Sequence, residues 1–306
     1  MCFGMNTWTQ YDDPATFFFR TNVYEMSSDK SQAYWKTALD DIKRKRSPAS
    51  EVVDRVRRHY KTPCSRKSKV SLIRSKLSPK QRKLVKPNKK DIIDCAALSK
   101  KNMASKLKNA LKFNNDELLE HATSTLASKT AGTYDLALAL MTVTGRRSSE
   151  ILNGRSSFGQ VRGKKTHALF KGQLKKRKTE SDAYTIPLLC TRELVNEGLD
   201  KLRARQPRDI QTYSPARVSR RYQSSIRKHS LKHPVYKQFN NLHDLRGCYA
   251  VMAARAYDCG SNMQDQYAIS KFLGHADPKE AMPYMAYRLK KPSALKKNQF
   301  GTFKIE

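Results

Sequence analysis

The chain has 306 residues, of which 61 are lysine or arginine and only 27 aspartate or glutamate, a formal net charge of +34. That excess excludes an ordinary globule whose surface charges cancel. It points to a polyanionic partner, nucleic acid first, because neutralising phosphates with Lys and Arg releases condensed counterions. No apolar run approaches the roughly 18 residues a membrane helix needs, and no helix pattern carries a dominant apolar face, so no membrane partner is expected.

Residues 1–30 are polar and aromatic without clear periodicity and read as an arm or loose cap; they lack the basic-then-apolar pattern of a signal peptide. A helix is predicted from near Ser31, with Tyr34, Trp35, Leu39 and Ile42 spaced three to four apart, ending in the basic run Lys43-Arg44-Lys45-Arg46 before Pro48. A second spans Pro48 to Tyr60, with Val52, Val53 and Val56 inward and Arg55, Arg57 and Arg58 outward. The segment Ser65 to Lys90 is dense in basic residues, Arg66 and Lys67 among them, and is broken by Pro79 and Pro87. It reads as a linker or a strap that tracks a groove. A third helix is expected over Lys90 to Phe113, with Ile92, Ile93, Ala96, Leu98, Met103, Leu107 and Leu111 as an apolar stripe between lysines. One basic run is ordinarily a solvated face, but several on successive elements favour a DNA-contacting module. Residues 1–113 are therefore expected to form a basic helical DNA-binding domain, with Lys43, Arg44, Lys45, Arg46, Arg55, Arg58, Arg66 and Lys67 as its contacts.

Apolar density rises after Asn114. Tyr134 to Val143 reads as a fully buried helix stopped by Thr144-Gly145. Thr166 to Phe170 and Tyr184 to Leu189 are strand-like runs joined by a basic segment, the pattern of a hairpin. Most of the chain from Arg192 to Arg288 looks helical. The expected fold is mainly α with one small antiparallel β-hairpin or sheet, residues 114–306 forming the second of two domains. The six cysteines, Cys2, Cys64, Cys95, Cys190, Cys248 and Cys259, lie far apart in sequence without a C-x-x-C pair. They predict neither a zinc site nor a disulfide framework but reduced thiols in a cytoplasmic or nucleoid setting.

Read in order, the second domain offers Thr144-Gly-Arg-Arg147-Ser-Ser-Glu150, a lysine-bearing hairpin, His243-Asp-Leu-Arg246, Leu273-Gly-His275 and, nine residues after that histidine, Tyr284. A tyrosine at fixed spacing behind a histidine and an arginine, in so basic a chain, points to a nucleophile aimed at a phosphodiester. This ordered set resembles the tyrosine recombinase superfamily, with its T-G-x-R-x-x-E, hairpin lysine, H-x-L-R, L-G-H and a tyrosine nine residues past that histidine. The resemblance implies a two-domain DNA clamp with a tyrosine-recombinase-like catalytic domain, in which Arg147 rather than Arg146 is the first catalytic arginine and Glu150 its helical supporter. Within the superfamily, the strings Gly145-Arg-Arg-Ser-Ser-Glu-Ile-Leu152, Phe170-Lys-Gly-Gln-Leu-Lys-Lys-Arg177 and Leu245-Arg-Gly-Cys-Tyr-Ala250 are most similar to the telomere resolvases, or protelomerases, which make hairpin ends on linear replicons. With the chain ending at Glu306, no further C-terminal DNA-binding domain is expected.

Each residue type suits its place. Tyr284 attacks, and covalent capture splits one hard substitution into two easier ones. Arg147 and Arg246 hold the non-bridging oxygens and offset the charge that builds on them. A hairpin lysine protonates the departing 5′ oxygen, His275 hydrogen-bonds the phosphate and His243 assists proton transfer. Lys171 aligns with the Lys-Gly of ordinary recombinases, whereas Lys175 sits in the resolvase-like Gly-Gln-x-Lys string; the reading leans to Lys175. Tyr287 competes with Tyr284 on what reads as one helical stretch, and the nine-residue spacing favours Tyr284. No cofactor or metal is expected: there is no tight carboxylate cluster and no phosphate loop or dinucleotide fingerprint. The expected partner is double-stranded DNA, an inverted-repeat site bound by a dimer or higher assembly. A phage or mobile-element integrase is the nearest alternative, followed by a type IB topoisomerase and a non-catalytic DNA-binding protein.

Overall fold

The computed structural model describes residues 34–44, 46–174, 183–257, 265–275, 277–292, 295 and 299–303. The expected arm at 1–30, Lys45 and Lys175 lie outside them. The chain divides into two compact units, Met1–Asn102 and Met103–Glu306. Among the described residues no helix is long and apolar enough to cross a membrane.

The amino-terminal unit is built from helices: α1 (34–43), α2 (Ala49–His59), α3 (Pro63–Ser75), α4 (Pro79–Leu84) and the first part of α5 (Lys89–Lys108). As its spacing predicts, α2 buries Val52, Val53 and Val56. They pack with Leu39 and Ile42 of α1. The expected strap at Ser65 to Lys90 is instead folded into this core. Thr62 and Ser78 each cap a helix with a side-chain oxygen, and Pro63 and Pro79 stand just after those caps, where a missing N–H costs nothing. Pro79 thus starts a helix rather than breaking one, while Pro87 does lie in the non-helical stretch between α4 and α5. Val70, Ile73, Leu77 and Val85, thinly spread among lysines, are 1%, 0%, 3% and 0% exposed.

The third predicted helix is shorter and less buried than its apolar stripe implied. It ends at Lys108, and Leu111–Phe113 becomes β1. Ile93 is 66% exposed, and Asp91 is the buried residue of α5. That aspartate accepts from Arg57 Nε at 3.1 Å and Arg66 Nε at 2.7 Å, joining α5 to α2 and α3. Burial opposes its ionisation, but the two guanidiniums hold its carboxyl below the usual value. Cys64 and Cys95, distant in sequence, bring their Sγ atoms to 2.6 Å as free thiols on α3 and α5.

The carboxy-terminal unit is arranged around α7 (Thr133–Thr144), buried at every position from Leu136 to Thr144. It packs against α6 (Asn115–Ala127), α8 (Ser148–Ile151), α9 (Arg192–Ala204), α10 (Pro215–Lys232) and α11 (Asp244–Ala256). The expected hairpin is a three-stranded antiparallel sheet, β2 (Ser157–Val161), β3 (Lys164–Lys171) and β4 (Ala183–Pro187), in that order. Its missed first strand is short and interrupted by Gly159, with its turn at Gly163, φ 72°. After α12 (Asp265–Leu273), a 3-10 helix covers Pro278–Ala286 and leads into β5 (Tyr287–Leu289), which pairs in parallel with β1. Tyr284 and Tyr287 therefore do not share one helical stretch: the first is in the 3-10 helix, the second in a strand.

Candidate active site

Helix α7 ends where Gly145 turns the chain at φ 65°. A side chain there would be strained, and its Cβ would come within 2.1 Å of the Tyr249 ring. The two arginines that follow have opposite surroundings. Arg146 is fully buried; Nε donates to the Thr144 carbonyl at 3.0 Å, one terminal nitrogen donates to the Phe272 carbonyl at 2.6 Å and the other to the Tyr184 hydroxyl. Arg147 keeps 20% of its side chain exposed, donating to Glu150 Oε1 at 2.6 Å, while its backbone N–H donates to Glu150 Oε2 at 2.9 Å.

Helix α11 brings in the second half of the site. Tyr249 donates to the Pro187 carbonyl at 2.6 Å, tying α11 to β4. Arg246, 1% exposed, donates to the carbonyls of Gly145 at 2.5 Å and Leu273 at 2.7 Å. Its Nε points at the Tyr284 hydroxyl, 3.3 Å away. The same hydroxyl lies 3.1 Å from His243 Nε2. The His275 ring stands 5.6 Å from that of Tyr284, with Nε2 3.5 Å from Arg246. An arginine can only donate, so this contact places the imidazole proton on Nδ1, which is buried without a hydrogen-bond partner among the described residues.

Three successive carbonyls, those of Phe272, Leu273 and Gly274, are taken by Arg146, by Arg246 with Tyr184, and by Gln173. The segment before His275 is thus fixed through its backbone. Tyr287 is used differently from Tyr284: it donates to Asp244 Oδ1 at 2.8 Å, and burial with that carboxylate pushes its phenol well above the usual range. It also fills the space beside Gly247, where a Cβ would approach its ring to 2.3 Å.

The electrostatics are those of an anion site. Arg147 pairs with one buried carboxylate, Glu150, on which the charges of Arg246 and Arg146 also act. Burial opposes its ionisation, yet Arg246, Arg146 and Arg147 hold its carboxyl below the usual value. Burial, then Arg246, Arg147, Arg146 and His243, drive His275 down to about 3, so its imidazole is neutral at physiological pH. Burial and the other arginines likewise lower Arg246. Positive charge exceeds its counterion here, the condition that favours a phosphate.

The structure thus brings together Arg147, His243, Arg246, His275 and Tyr284, all from the resemblance, around the braces Arg146, Glu150 and Tyr184. Lys171 closes β3, exposed, opposite Ser157 and Ala183. Among the expected DNA contacts, Arg55 is paired with Asp41 at 2.9 Å and Arg66 with Asp91, whereas Lys43, Arg44, Arg46 and Arg58 are exposed and Lys67 is half-buried. The sequence reading overlooked an exposed row on α10, Arg217, Arg220 and Arg221, opposite buried Val218, Tyr222 and Ile226. The spacing of those arginines was the available signal. Among the described residues no group of three or more His, Cys, Asp or Glu could hold a metal ion.

The sequence model of the telomere resolvase ResT/TelK catalytic domain matches residues 109–287, more than half of the chain. Among solved structures, a protelomerase TelA variant covalently complexed with substrate DNA is 19% identical, with a TM-score of 0.68 over 80% of this chain and 83% of that one. A TelA variant complexed with a DNA hairpin product is 18% identical, with a TM-score of 0.67 over 80% and 83%. Protelomerase TelK complexed with substrate DNA is 18% identical, with a TM-score of 0.56 over 86% of this chain and 53% of that one. No curated protein matches the sequence. At these identities the structural likenesses establish the fold.

Proposed function

From the premise that this chain belongs to the telomere resolvase family, we propose that it cleaves duplex DNA through a 3′-phosphotyrosine at Tyr284 and rejoins the ends as hairpins. The observation that carries the reading is the Tyr284 hydroxyl, set between a donor, Arg246, and an acceptor, His243, beside three guanidiniums whose charges act on one carboxylate. As Tyr284 bonds to phosphorus, its proton passes to His243 while Arg246 donates to the oxygen where charge builds. Arg147 and Arg246 offset charge on the non-bridging oxygens, and His275 hydrogen-bonds the phosphate. The P–O5′ bond breaks as a lysine, Lys175 or Lys171, protonates the leaving oxygen. The broken bond is stored as a phosphodiester to tyrosine, so rejoining needs no nucleotide.

In this reading the amino-terminal unit grips flanking duplex through Lys43, Arg44, Lys45, Arg46, Arg58 and Lys67, and the exposed row on α10 adds phosphate contacts. Two copies act on an inverted repeat, which places the protein with nucleoid DNA.

The test is a duplex carrying an inverted repeat, incubated in EDTA without ATP. Wild type is expected to give hairpin-ended products, and a nicked suicide duplex a protein–DNA band on denaturing gels. Tyr284→Phe should lose that band and keep DNA binding, while Tyr287→Phe should keep both. An adduct that persists in Tyr284→Phe overturns the assignment.

A further inference from the structure

We propose that Gln173 is a positioning residue that sets the general-acid lysine against the scissile phosphate, an inference that rests on the reading above. The chain leaves β3 at Lys171, and each of the next three residues is fixed by its own contact. Gly172 adopts φ 114°, and a Cβ there would lie 2.8 Å from the Ser156 Cα. Gln173 is 9% exposed, and its Nε2 donates to the Gly274 carbonyl at 2.9 Å. The Leu174 backbone N–H donates to Glu150 Oε1 at 3.4 Å.

These contacts have ends of a particular kind. Gly274 immediately precedes His275, and Glu150 is the carboxylate that holds Arg147. The short stem between the two candidate lysines is therefore tied on one side to the phosphate-facing histidine and on the other to the first arginine. Lys171, the last residue of β3, is two residues before Gln173, so the tether bears on the placement of that lysine, whereas Lys175 lies outside the described residues. The approach is close: a Cβ on Gly274, whose φ is 67°, would meet the Tyr184 ring and hydroxyl at 2.5 Å and Gln173 Oε1 at 2.7 Å. The amide thus seats against bare backbone, and the glycine of Leu273-Gly274-His275 leaves room for both side chains. Gln173 does not touch the reacting atoms. Its effect on rate comes through lysine placement, where a misplacement of about 1 Å can cost on the order of 100-fold.

A merely structural role and a positioning role separate on one substrate. When the bridging 5′ oxygen is replaced by sulfur, the leaving group departs as a thiolate and needs no proton, so a defect confined to acid placement disappears. Single-turnover cleavage by full-length Gln173→Met is therefore compared on normal and 5′-phosphorothiolate DNA. The variant should be roughly 10- to 100-fold slow on oxygen and within about threefold of wild type on sulfur. Equal slowing on both substrates, or the wild-type rate on both, overturns the proposal. Should Gln173→Met fail to fold, Gln173→Asn, which keeps the amide but shortens its reach, must show the same substrate-dependent rescue or the proposal fails. If wild type forms no covalent adduct on either DNA, the functional reading fails instead, and this inference with it.

Discussion

In the amino-terminal unit Arg55, Arg57 and Arg66 each meet an aspartate, Asp41 or Asp91, near the surface. In the carboxy-terminal unit only Arg147 of the three site arginines pairs with the carboxylate of Glu150, whose charge also acts on Arg146 and Arg246, and those two buried arginines rest on backbone carbonyls. Carbonyl dipoles orient a guanidinium without cancelling its charge. The first unit therefore uses these three arginines to hold helices together and leaves binding to its exposed lysines and arginines. The second keeps net positive charge in a shielded place, where a phosphate can complete it.

The comparison breaks first, and most visibly, at adjacent residues. Arg147→Ala and Arg246→Ala are each expected to slow cleavage by about 10²- to 10³-fold, on sulfur-substituted and normal DNA alike, because they stabilise charge rather than deliver a proton. Arg146→Ala should lose about 3 kcal/mol of stability, since it strands the carbonyls of Thr144 and Phe272 and the Tyr184 hydroxyl. Urea unfolding beside single-turnover kinetics checks both. If Arg146→Ala proved stable and inactive, the division between brace and phosphate ligand would be wrong.

Acid sharpens the contrast at a smaller scale. His167, 3% exposed between Phe303 and Tyr257, is pushed down to about 4, first by burial and then by Lys164. The unfolded chain binds this proton below about pH 6.5 and the folded one does not. Stability is thus fully present above pH 6.5 and lost as pH falls toward 4, by about 2 kcal/mol at pH 5. His275, His121 and His233 are also lowered and lie in the same unit. The amino-terminal unit depends instead on Asp91, whose lowered carboxyl costs stability only below about pH 4. Hydrogen exchange should therefore show the carboxy-terminal unit loosening first between pH 6.5 and 4, and His167→Phe should remove part of that slope. Equal loosening of both units would contradict the assignment.

The smallest effects are in the amino-terminal unit. Arg58→Ala should lower the salt slope of DNA binding by about one and leave the melting temperature unchanged. Arg66→Ala should cost roughly 1 kcal/mol of stability, by leaving buried Asp91 to Arg57 alone. Reversal of the two outcomes would exchange their roles.

How much of this was legible depended on how locally each feature is encoded. Helix α7 declared itself, because its run of apolar residues ends at a glycine, and the five residues proposed for the chemistry could be named because they stand in an order that chance does not assemble. The fold of Ser65 to Lys90 was not legible by composition: four apolar residues among many lysines suffice for an inner face, and prolines that start helices look like prolines that break them. Strand β2 was hidden by Gly159, and β1 by its partner, since a parallel pair between residues 111–113 and 287–289 leaves no trace in either neighbourhood. The braces escaped for the same reason. Arg146, Tyr184 and Gln173 matter through carbonyls about a hundred residues away, and a carbonyl has no letter in the sequence.

The left-handed turn at Gly145 has one more consequence. Two identical letters follow it, and the turn alone assigns one to the interior and the other to the open face. Removing Gly145 would keep both arginines in the sequence and yet take away the turn that sends one to each side, so the wrong guanidinium could thread into the wall of the site. In this stretch, information is carried by phase rather than by alphabet.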